Sequence, residues 1–423
     1  LKHQIEQNDI RIAARTIRQN VLLEDMLADP KIKIQYASKY SSSSNGWKKW
    51  QGMKLAFDKL DIIGRAEQEE ADFQAWVDAD SKRKEKYGNA VKDLAAIVEE
   101  GRAASNAFTK AFETIYKIEL TNFATTLVSM ANREIKQGTD TLTALNNAYA
   151  AIAPKYADYS AETDRKVAKA MLKHYRDIAD TEYAKLLEGV DIDSFVDDMF
   201  NSSVFTSAET LKKTIEESGM DIIKDPAYGE GYEMLMECVN CQIAAMATEE
   251  RLAKARQLYT AGLLEWKDGQ PSYPDANFTM RLTYGTVGGY SPKDAVIYRY
   301  YTTLDGVMEK EDPNNWEFVV PEKLKELWKN QDFGRYAMED GKMPVAFLSN
   351  NDITGGNSGS PIMNAKGELI GLAFDGNWES MSSDVMFEPA LQRCINVDIR
   401  YVLFIVEKFG GAKWLIDEMK IEK

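Results

Sequence analysis

Residues 350–378 read NNDITGGNSGSPIMNAKGELIGLAFDGNW. In this stretch the five residues Asn364 to Glu368, NAKGE, separate two short apolar runs, PIM and LIGLAF. That pattern predicts two strands joined by a tight hairpin turn. Ahead of the hairpin, Gly355, Gly356 and Gly359 surround Asn357 and Ser358. Glycines permit the backbone conformations that turn successive N–H groups to one side of a loop. The stretch therefore predicts β-structure that carries Ser358 near the apex of a glycine-rich loop. The loop is not a phosphate cradle, since it lacks the Lys-Ser/Thr ending.

Away from this stretch the chain divides in two. Only Pro30, Pro154 and Pro226 fall in residues 1–270, while eight of the eleven prolines lie beyond them. Glycine follows, with twelve in the first 270 residues and fourteen in the last 153. Both residues penalise helix interiors, so the first part favours helices. Its apolar residues agree: Met53, Leu55, Ala56, Leu60 and Ile63 recur at roughly helical spacing. Turn clusters KYSSSSNG, KQGTDT and KDPAYGEGY are expected to separate the helices. No fixed-period repeat appears, so residues 1–270 read as an irregular bundle of eight or more helices. After KDGQPSYPDANF the runs become short, β-branched and aromatic: NFTMRLTYGTV, AVIYRYYTTL, PVAFLS and ELIGLAFDG. WEFVVPEKLKELWKNQDFGRYA interrupts them with a short helix, and NVDIRYVLFIVEKFGGAKWLIDEM is expected to end the chain as one or two helices.

The totals exclude several classes. At 423 residues the chain is too long for one ordinary core, so two or three domains are expected. A net charge of -15 argues against nucleic acid and anionic membrane surfaces as partners. No apolar run approaches the roughly 20 residues of a membrane helix. No metal, nucleotide or flavin signature appears, and no cofactor is expected. Cys238 and Cys241 form C-x-x-C, but Cys394 and two scattered histidines do not complete an obvious zinc set. Their apolar, alanine-rich surroundings favour two small buried helix residues. The chain opens on Leu1 with helix-like sequence and no targeting motif, as expected of an internal start.

Ser358 is a candidate nucleophile. Attack on a peptide carbonyl needs a serine on a tight loop with backbone N–H groups aimed at the developing oxyanion. In a trypsin-like geometry those groups belong to Gly356 and Ser358, and the strand ELIGLAFDG follows at the distance of the S1 pocket wall. Ser360 lies past the apex and is the weaker candidate. The bland reading is a Gly/Ser-rich hairpin loop without chemistry. A nucleophilic serine also needs a base, and only His3 and His174 are available. His174 lies mid-helix and His3 beside a chain end, so neither has the context of a catalytic histidine. Residues 271–423 suffice for one barrel and a helix, not two barrels. The barrel that carries His and Asp is therefore expected to lie outside this chain.

TGGNSGSPIMNAKGELIGLAFDGNWESM, together with YPDANFTMRLTYGTV, YYTTLDGVMEKEDP and CINVDIRYVLFIVEKFGGAKWLIDEM, closely resembles the bacterial dipeptidyl peptidase 7 and 11 family of serine exopeptidases. The resemblance covers essentially all of residues 273–423. It implies an α+β multidomain fold: an all-α helical cap domain over 1–272, then the C-terminal β-barrel of a trypsin-like double-barrel serine peptidase over 273–423, with a C-terminal helix. By the same resemblance Ser358 matches the nucleophile, and Gly356 with Ser358 the oxyanion hole. Asp375 matches an acidic residue that holds the substrate's free α-amine. Asn45, in YASKYSSSSNGWKKWQGM, matches an asparagine of the helical cap that contacts the same amine. A hairpin-end carboxylate and a helix N-cap are the respective structural alternatives. Implied partners are peptides with a free N-terminus, the N-terminal barrel of the same protein and a second copy in a homodimer. The implied location is the periplasm or cell surface of a Gram-negative bacterium.

The resemblance also bears on specificity. Family members that cut after Asp or Glu carry an arginine just after the amine-binding aspartate, and here that residue is Gly376. A glycine leaves space and no charge, which predicts aliphatic or aromatic P1 side chains; an acidic P1 is the alternative. Asp352 stands six residues before Ser358, where trypsin keeps the aspartate that selects Lys and Arg, so a trypsin-like endopeptidase is a further alternative. Asn357 replaces trypsin's aspartate before the nucleophile, so trypsin-style zymogen activation is not expected. A rival of another class is a helical binding module with an inactive β-domain.

Overall fold

The computed structural model describes residues 1–274, 277 and 279–422. The chain forms two compact units. One comprises Leu1–Gln51 and Ile63–Gln270, the other Gly52–Ile62 and the residues from Pro271 onward.

Thirteen α-helices begin within residues 1–270: α1 Lys2–Ala28, α2 Pro30–Lys59, α3 Ile62–Asp78, α4 Ser81–Tyr87, α5 Ala90–Glu113, α6 Glu119–Lys136, α7 Thr141–Ile152, α8 Ala161–Ile178, α9 Glu182–Leu186, α10 Ile192–Ser202, α11 Ala208–Ser218, α12 Pro226–Met246 and α13 Glu249–Trp266. Their starts follow local chemistry. Asp140, Ser160, Asp191, Ser207 and Asp225 each accept a backbone N–H of the first turn, and Pro226 fills the first helical position of α12. α12 packs on α5 and α6, α6 on α7, and α1 on α5 and α8. The core holds Leu120, Phe123, Leu127, Leu145, Leu172 and Phe205, all buried. A second cluster joins Leu22 and Met26 of α1 to Tyr36 of α2 and Met171 of α8.

Two expected turns differ. KYSSSSNG is not a turn, because α2 runs through it without a break. KDPAYGEGY is a turn only as far as Asp225, and its remainder is the first part of α12. KQGTDT is a turn, with Gly138 at φ +97 and Asp140 as the cap of α7. Leu55, placed on the apolar stripe by its spacing, is exposed, whereas Met53, Ala56 and Phe57 are buried.

The second unit holds β1 Tyr290–Lys293, β2 Val296–Tyr298, β3 Tyr301–Thr303, β4 Pro344–Ser349, β5 Pro361–Met363, β6 Leu369–Gly376 and β7 Cys394–Asp398. It also holds α14 Leu304–Glu309, α15 Glu322–Lys329, α16 Ile399–Phe404 and α17 Lys413–Asp417. β1 and β2 form a small antiparallel pair. The other five make one antiparallel sheet in the order β3-β4-β7-β6-β5. Among the described residues this sheet is open, with β3 and β5 at its edges, and does not close into the expected barrel. NAKGE forms the expected hairpin turn: Asn364 N–H donates to Glu368 O at 3.0 Å and Gly367 N–H to Asn364 O at 2.9 Å.

The central strand, β7, departs from expectation. The sequence pattern puts NVD at the start of the terminal helices, yet CINVD pairs with both β4 and β6. Its burial alternates, and Asp398 ends it by capping α16. Buried Asn396 donates through Nδ2 to Ser349 Oγ at 3.0 Å, so a polar side chain cross-links β7 to β4. The expected strand NFTMRLTYGTV contributes only an isolated bridge at Val287, paired with Ser349. Phe278 of that segment, and Asp275 and Ala276 just before it in the stretch that carries the family resemblance, lie outside the described residues, as does Lys423. AVIYRYYTTL splits between β2 and β3. The unit's apolar core gathers Leu304, Leu324, Phe333, Met343, Phe404 and Ile416.

Candidate functional site

Ser358 sits in the loop between β4 and β5, exposed at its apex. The loop is tied at both shoulders. Upstream, Thr354 N–H donates to Asn357 Oδ1 at 3.1 Å, Asn357 N–H to Thr354 O at 3.2 Å, and Thr354 Oγ1 to Asp384 Oδ1 at 2.8 Å. Downstream, Gly359 N–H donates to Ala373 O at 2.7 Å, and Ala373 N–H to Ser360 O at 2.9 Å. Gly356 and Gly359 hold φ of +102 and +81, values that side-chain-bearing residues rarely adopt.

The result is an alternation from Gly356 to Gly359. The N–H groups of Asn357 and Gly359 are engaged, while those of Gly356 and Ser358 donate to no acceptor among the described residues of this unit. Two available donors beside an exposed hydroxyl can receive negative charge that develops on a substrate oxygen. Asn357 holds the loop closed through its amide oxygen.

The Ser360–Ala373 pair ties this loop to β6, and two residues further on stands Asp375. A bulge between Ala373 and Asp375 interrupts the β6–β7 register. Bulges re-aim side chains, and here Phe374 and Asp375 are both exposed in succession. Asp375 Oδ1 accepts the N–H of Gly376 at 2.8 Å. The structure thus places Ser358, Gly356, Asp375 and Gly376 on one loop-and-strand assembly.

At Gly376 an added Cβ would meet Ser380 Oγ at 2.0 Å and Met381 Cε at 3.1 Å. Ser380 is buried, and its hydroxyl donates to Asn377 O at 2.7 Å. Asn377, also buried, donates through Nδ2 to Leu391 O at 2.8 Å and accepts Arg393 N–H at 2.9 Å. The Arg393 guanidinium donates to the carbonyls of Gly288, Gly289, Pro389 and Gln392. Cys394 pairs with Gly376 across the strands, and burial pushes its thiol up to about 11. Asn377, Ser380, Asp384 and Arg393 shape this wall and were not singled out from sequence. Their partners lie 1 to 105 positions away, and the only signal was the polar density of NWESMSSD.

Other candidates fall elsewhere. Asp352 Oδ2 accepts the Tyr273 hydroxyl at 2.6 Å, and that hydrogen bond leads the causes that push Tyr273 up to about 12. His3 lies on α1 with Nδ1 3.6 Å from Glu6, and His174 lies on α8, where burial lowers its pKa. Both histidines and Asn45 belong to the helical unit. Asn45 is exposed inside α2, so it does not cap that helix. Cys238 and Cys241 are buried one turn apart on α12, and burial pushes both thiols up to about 11. No helix among the described residues is long and apolar enough to cross a membrane.

Comparison with known proteins supplies a family. The model of Peptidase S46 matches residues 1–421. Dipeptidyl-peptidase 7 of Phocaeicola vulgatus is 44% identical over 98% of this chain, and that of Porphyromonas gingivalis is 40% identical over the same share. An Asp/Glu-specific dipeptidyl-peptidase of Porphyromonas gingivalis is also 40% identical over 98% of the chain. In each case the match covers 59% of the relative, so the chain spans about three-fifths of their length. Among solved structures, Porphyromonas endodontalis DPP11 in complex with the dipeptide Arg-Glu matches 99% of this chain and 61% of its own, with TM-score 0.87 at 37% identity.

Proposed function

The chain belongs to the peptidase S46 family, and on that footing we propose that it forms the serine-bearing part of an exopeptidase that removes dipeptides from free N-termini. Ser358 Oγ attacks the second peptide carbonyl, and the N–H groups of Gly356 and Ser358 receive the oxyanion; the C–N bond then breaks, the shortened peptide leaves as its amine with the proton given up by the serine, and water hydrolyses the acyl-enzyme to release the dipeptide. Asp375 pairs with the substrate ammonium through a charge-assisted hydrogen bond. Asn45, from a helical cap, contacts the same amine. The base that takes the Ser358 proton comes from outside residues 1–423, in a further barrel of a trypsin-like enzyme. This chain by itself is inactive. The single observation that carries the reading is the Gly359–Ala373–Ser360 ladder. It links the nucleophile loop to the strand of Asp375, and a carboxylate at fixed distance from a nucleophile counts residues.

On the P1 residue the comparisons favour an acid, since a solved relative holds Arg-Glu and another relative is Asp/Glu-specific by name. A second reading, an aliphatic or aromatic P1, is favoured by one feature of this chain. Gly376 brings no cation, and Arg393 is committed to backbone carbonyls. The reading extends to a periplasmic or cell-surface enzyme of a Gram-negative bacterium, working as a homodimer without cofactor.

Dipeptidyl-naphthylamides assayed on the full-length enzyme test both levels. Cleavage of free but not N-blocked substrates supports the exopeptidase; efficient cleavage of blocked peptides would replace it with an endopeptidase. Faster turnover after Asp or Glu than after Leu or Phe supports the acidic reading, and the reverse order supports the apolar one.

A further inference from the structure

Asn45 stands in a stretch that should not be helical by itself. Ser41–Gly46 reads SSSSNG, and residues of these types lose roughly 3–4 kcal/mol of helix propensity over six positions relative to alanine. Yet α2 passes through without a break. What holds it is concentrated on one residue. Buried Ser43 receives three donors from α1: Arg18 Nη2 and Gln19 Nε2 reach its hydroxyl at 3.0 and 2.9 Å, and Arg15 Nη1 reaches its carbonyl at 3.1 Å.

Arg15 is itself fixed. Its Nε and Nη2 form a two-pronged pair with buried Glu113, the last residue of α5, at 2.9 and 3.0 Å. Its guanidinium lies over Trp50, 4.4 Å from the ring centroid. Gly46 makes the approach possible, because a Cβ there would stand 2.6 Å from Arg15 Nη1. Trp47 Nε1 adds a bond to Thr16 Oγ1 at 2.8 Å. Two positions along a helix turn a side chain about 200° around its axis. Ser43 therefore faces α1 while Asn45 faces out, at the point where the weak helix is pinned.

We propose that Glu113, Arg15 and Ser43 act as a clamp that positions Asn45 for recognition of the substrate amine. The inference rests on the reading of Asn45 as an amine contact. Ser43 and Arg15 are positioning residues in it and touch no substrate. Lysine cannot replace Arg15, because one ammonium cannot hold the fork on Glu113 and the Ser43 carbonyl together.

The test uses the full-length enzyme with Ser43→Ala, Ser43→Thr, Arg15→Lys, Asn45→Ala and the double variant Ser43→Ala/Asn45→Ala. Two readouts are taken: steady-state kinetics and amide hydrogen exchange over residues 41–50. Ser43→Ala and Arg15→Lys are expected to speed exchange in that segment. Each should raise KM about tenfold, the equivalent of one lost charge-assisted hydrogen bond, with a much smaller change in kcat. Ser43→Thr, which keeps the hydroxyl, should restore KM. The double variant should match Asn45→Ala alone. A Ser43→Ala enzyme with unchanged KM, or a double variant whose effects multiply, overturns the clamp. An Asn45→Ala enzyme with unchanged KM overturns the reading of Asn45 and with it the clamp's role in recognition, and faster exchange in Ser43→Ala then shows that the bonds to Ser43 still order the segment. If Ser43→Ala does not fold, Arg15→Lys carries the same comparison.

Discussion

Two stretches of this chain are built from serine, glycine and asparagine and nothing else: SSSSNG at 41–46 and GGNSGS at 355–360. The first is the interior of a helix and the second a loop between strands. The difference lies in who supplies the hydrogen bonds. In α2 the side chains of α1 reach Ser43 from outside, and the helical backbone stays intact. In the loop Gly356 and Gly359 take positive φ, and the bonds stay within the unit, linking the loop to the backbone of β6 and to the side chains of Asn357 and Asp384. Residues of low helix propensity state only a local cost, and tertiary donors decide whether it is met.

The same residue type should therefore behave in opposite ways at the two places. Ser358→Ala removes the proposed nucleophile and should lower kcat/KM of the full-length enzyme by at least about 10³-fold. Its thermal midpoint should barely move, since the exposed hydroxyl has no hydrogen-bond partner among the described residues of its unit. A variant that kept a tenth of the activity would break the contrast between a reactive loop serine and a structural helix serine. On the helical side the largest effect belongs to Glu113→Gln. Arg11, Arg15, Arg18 and Lys117 all lie in the field of this one buried carboxylate. Breaking a buried pair from one side costs about 3–5 kcal/mol, so chemical unfolding of the helical unit should shift by that order.

How much of this was legible follows the same divide. The helical first part, the hairpin at Asn364–Glu368 and the glycine-flanked serine all carry a local signal in spacing or in turn residues, and each is readable. The continuity of α2 was not, because Ser43 bonds to residues 24 to 28 positions away. β7 was missed for a related reason. CINVDIRYV alternates for only a few residues before Asp398 caps a helix, and its partners lie on β4 and β6. At the site, Gly376 was legible as a residue, but Ser380 beneath it was not. The open sheet corrects an expectation of a barrel that came from segment length and resemblance and not from the strand pattern.

A third test sharpens the loop side. At Gly356 nothing lies within 4 Å of an added Cβ, yet φ is +102. Gly356→Ala should then cost about 1–3 kcal/mol through backbone strain alone, read as a lower thermal midpoint. Turnover should fall with it, since Gly356 presents one of the two available N–H groups. An unaltered midpoint would mean that the loop relaxes freely and holds no preset donor geometry.

A smaller effect should appear at Lys117, beside the arginines that hold Ser43. Burial first, with Arg18 and Arg15 adding repulsion, brings its ammonium from 10.5 down to about 8. A lowered folded pKa means that between pH 8 and 10.5 the unfolded chain binds more protons than the folded one. Stability should therefore rise with pH across that window, and below pH 8 the penalty should be constant. Lys117→Met should flatten the rise and add about 1–2 kcal/mol at pH 7, part of the gain being lost with the ammonium–ring contact to Phe112. A slope that survives the substitution would place the titrating group elsewhere.

The smallest effect discriminates most finely between the two stretches. Gly46 needs its missing Cβ for space and not for φ, because an added carbon would stand 2.6 Å from Arg15 Nη1. Gly46→Ala gains about 1 kcal/mol of helix propensity but displaces the guanidinium, so a net loss of about 1 kcal/mol is expected. In an Arg15→Lys background the obstruction goes, and the same substitution should become stabilising by up to about 1 kcal/mol. Gly356→Ala should cost the same in either background, since its strain does not involve Arg15. Thermal unfolding of the single and double variants reads all of these signs. If Gly46→Ala stabilises the protein while Arg15 is still present, the guanidinium moves aside without penalty, and α2 is helical at Asn45 for some reason other than the bonds to Ser43.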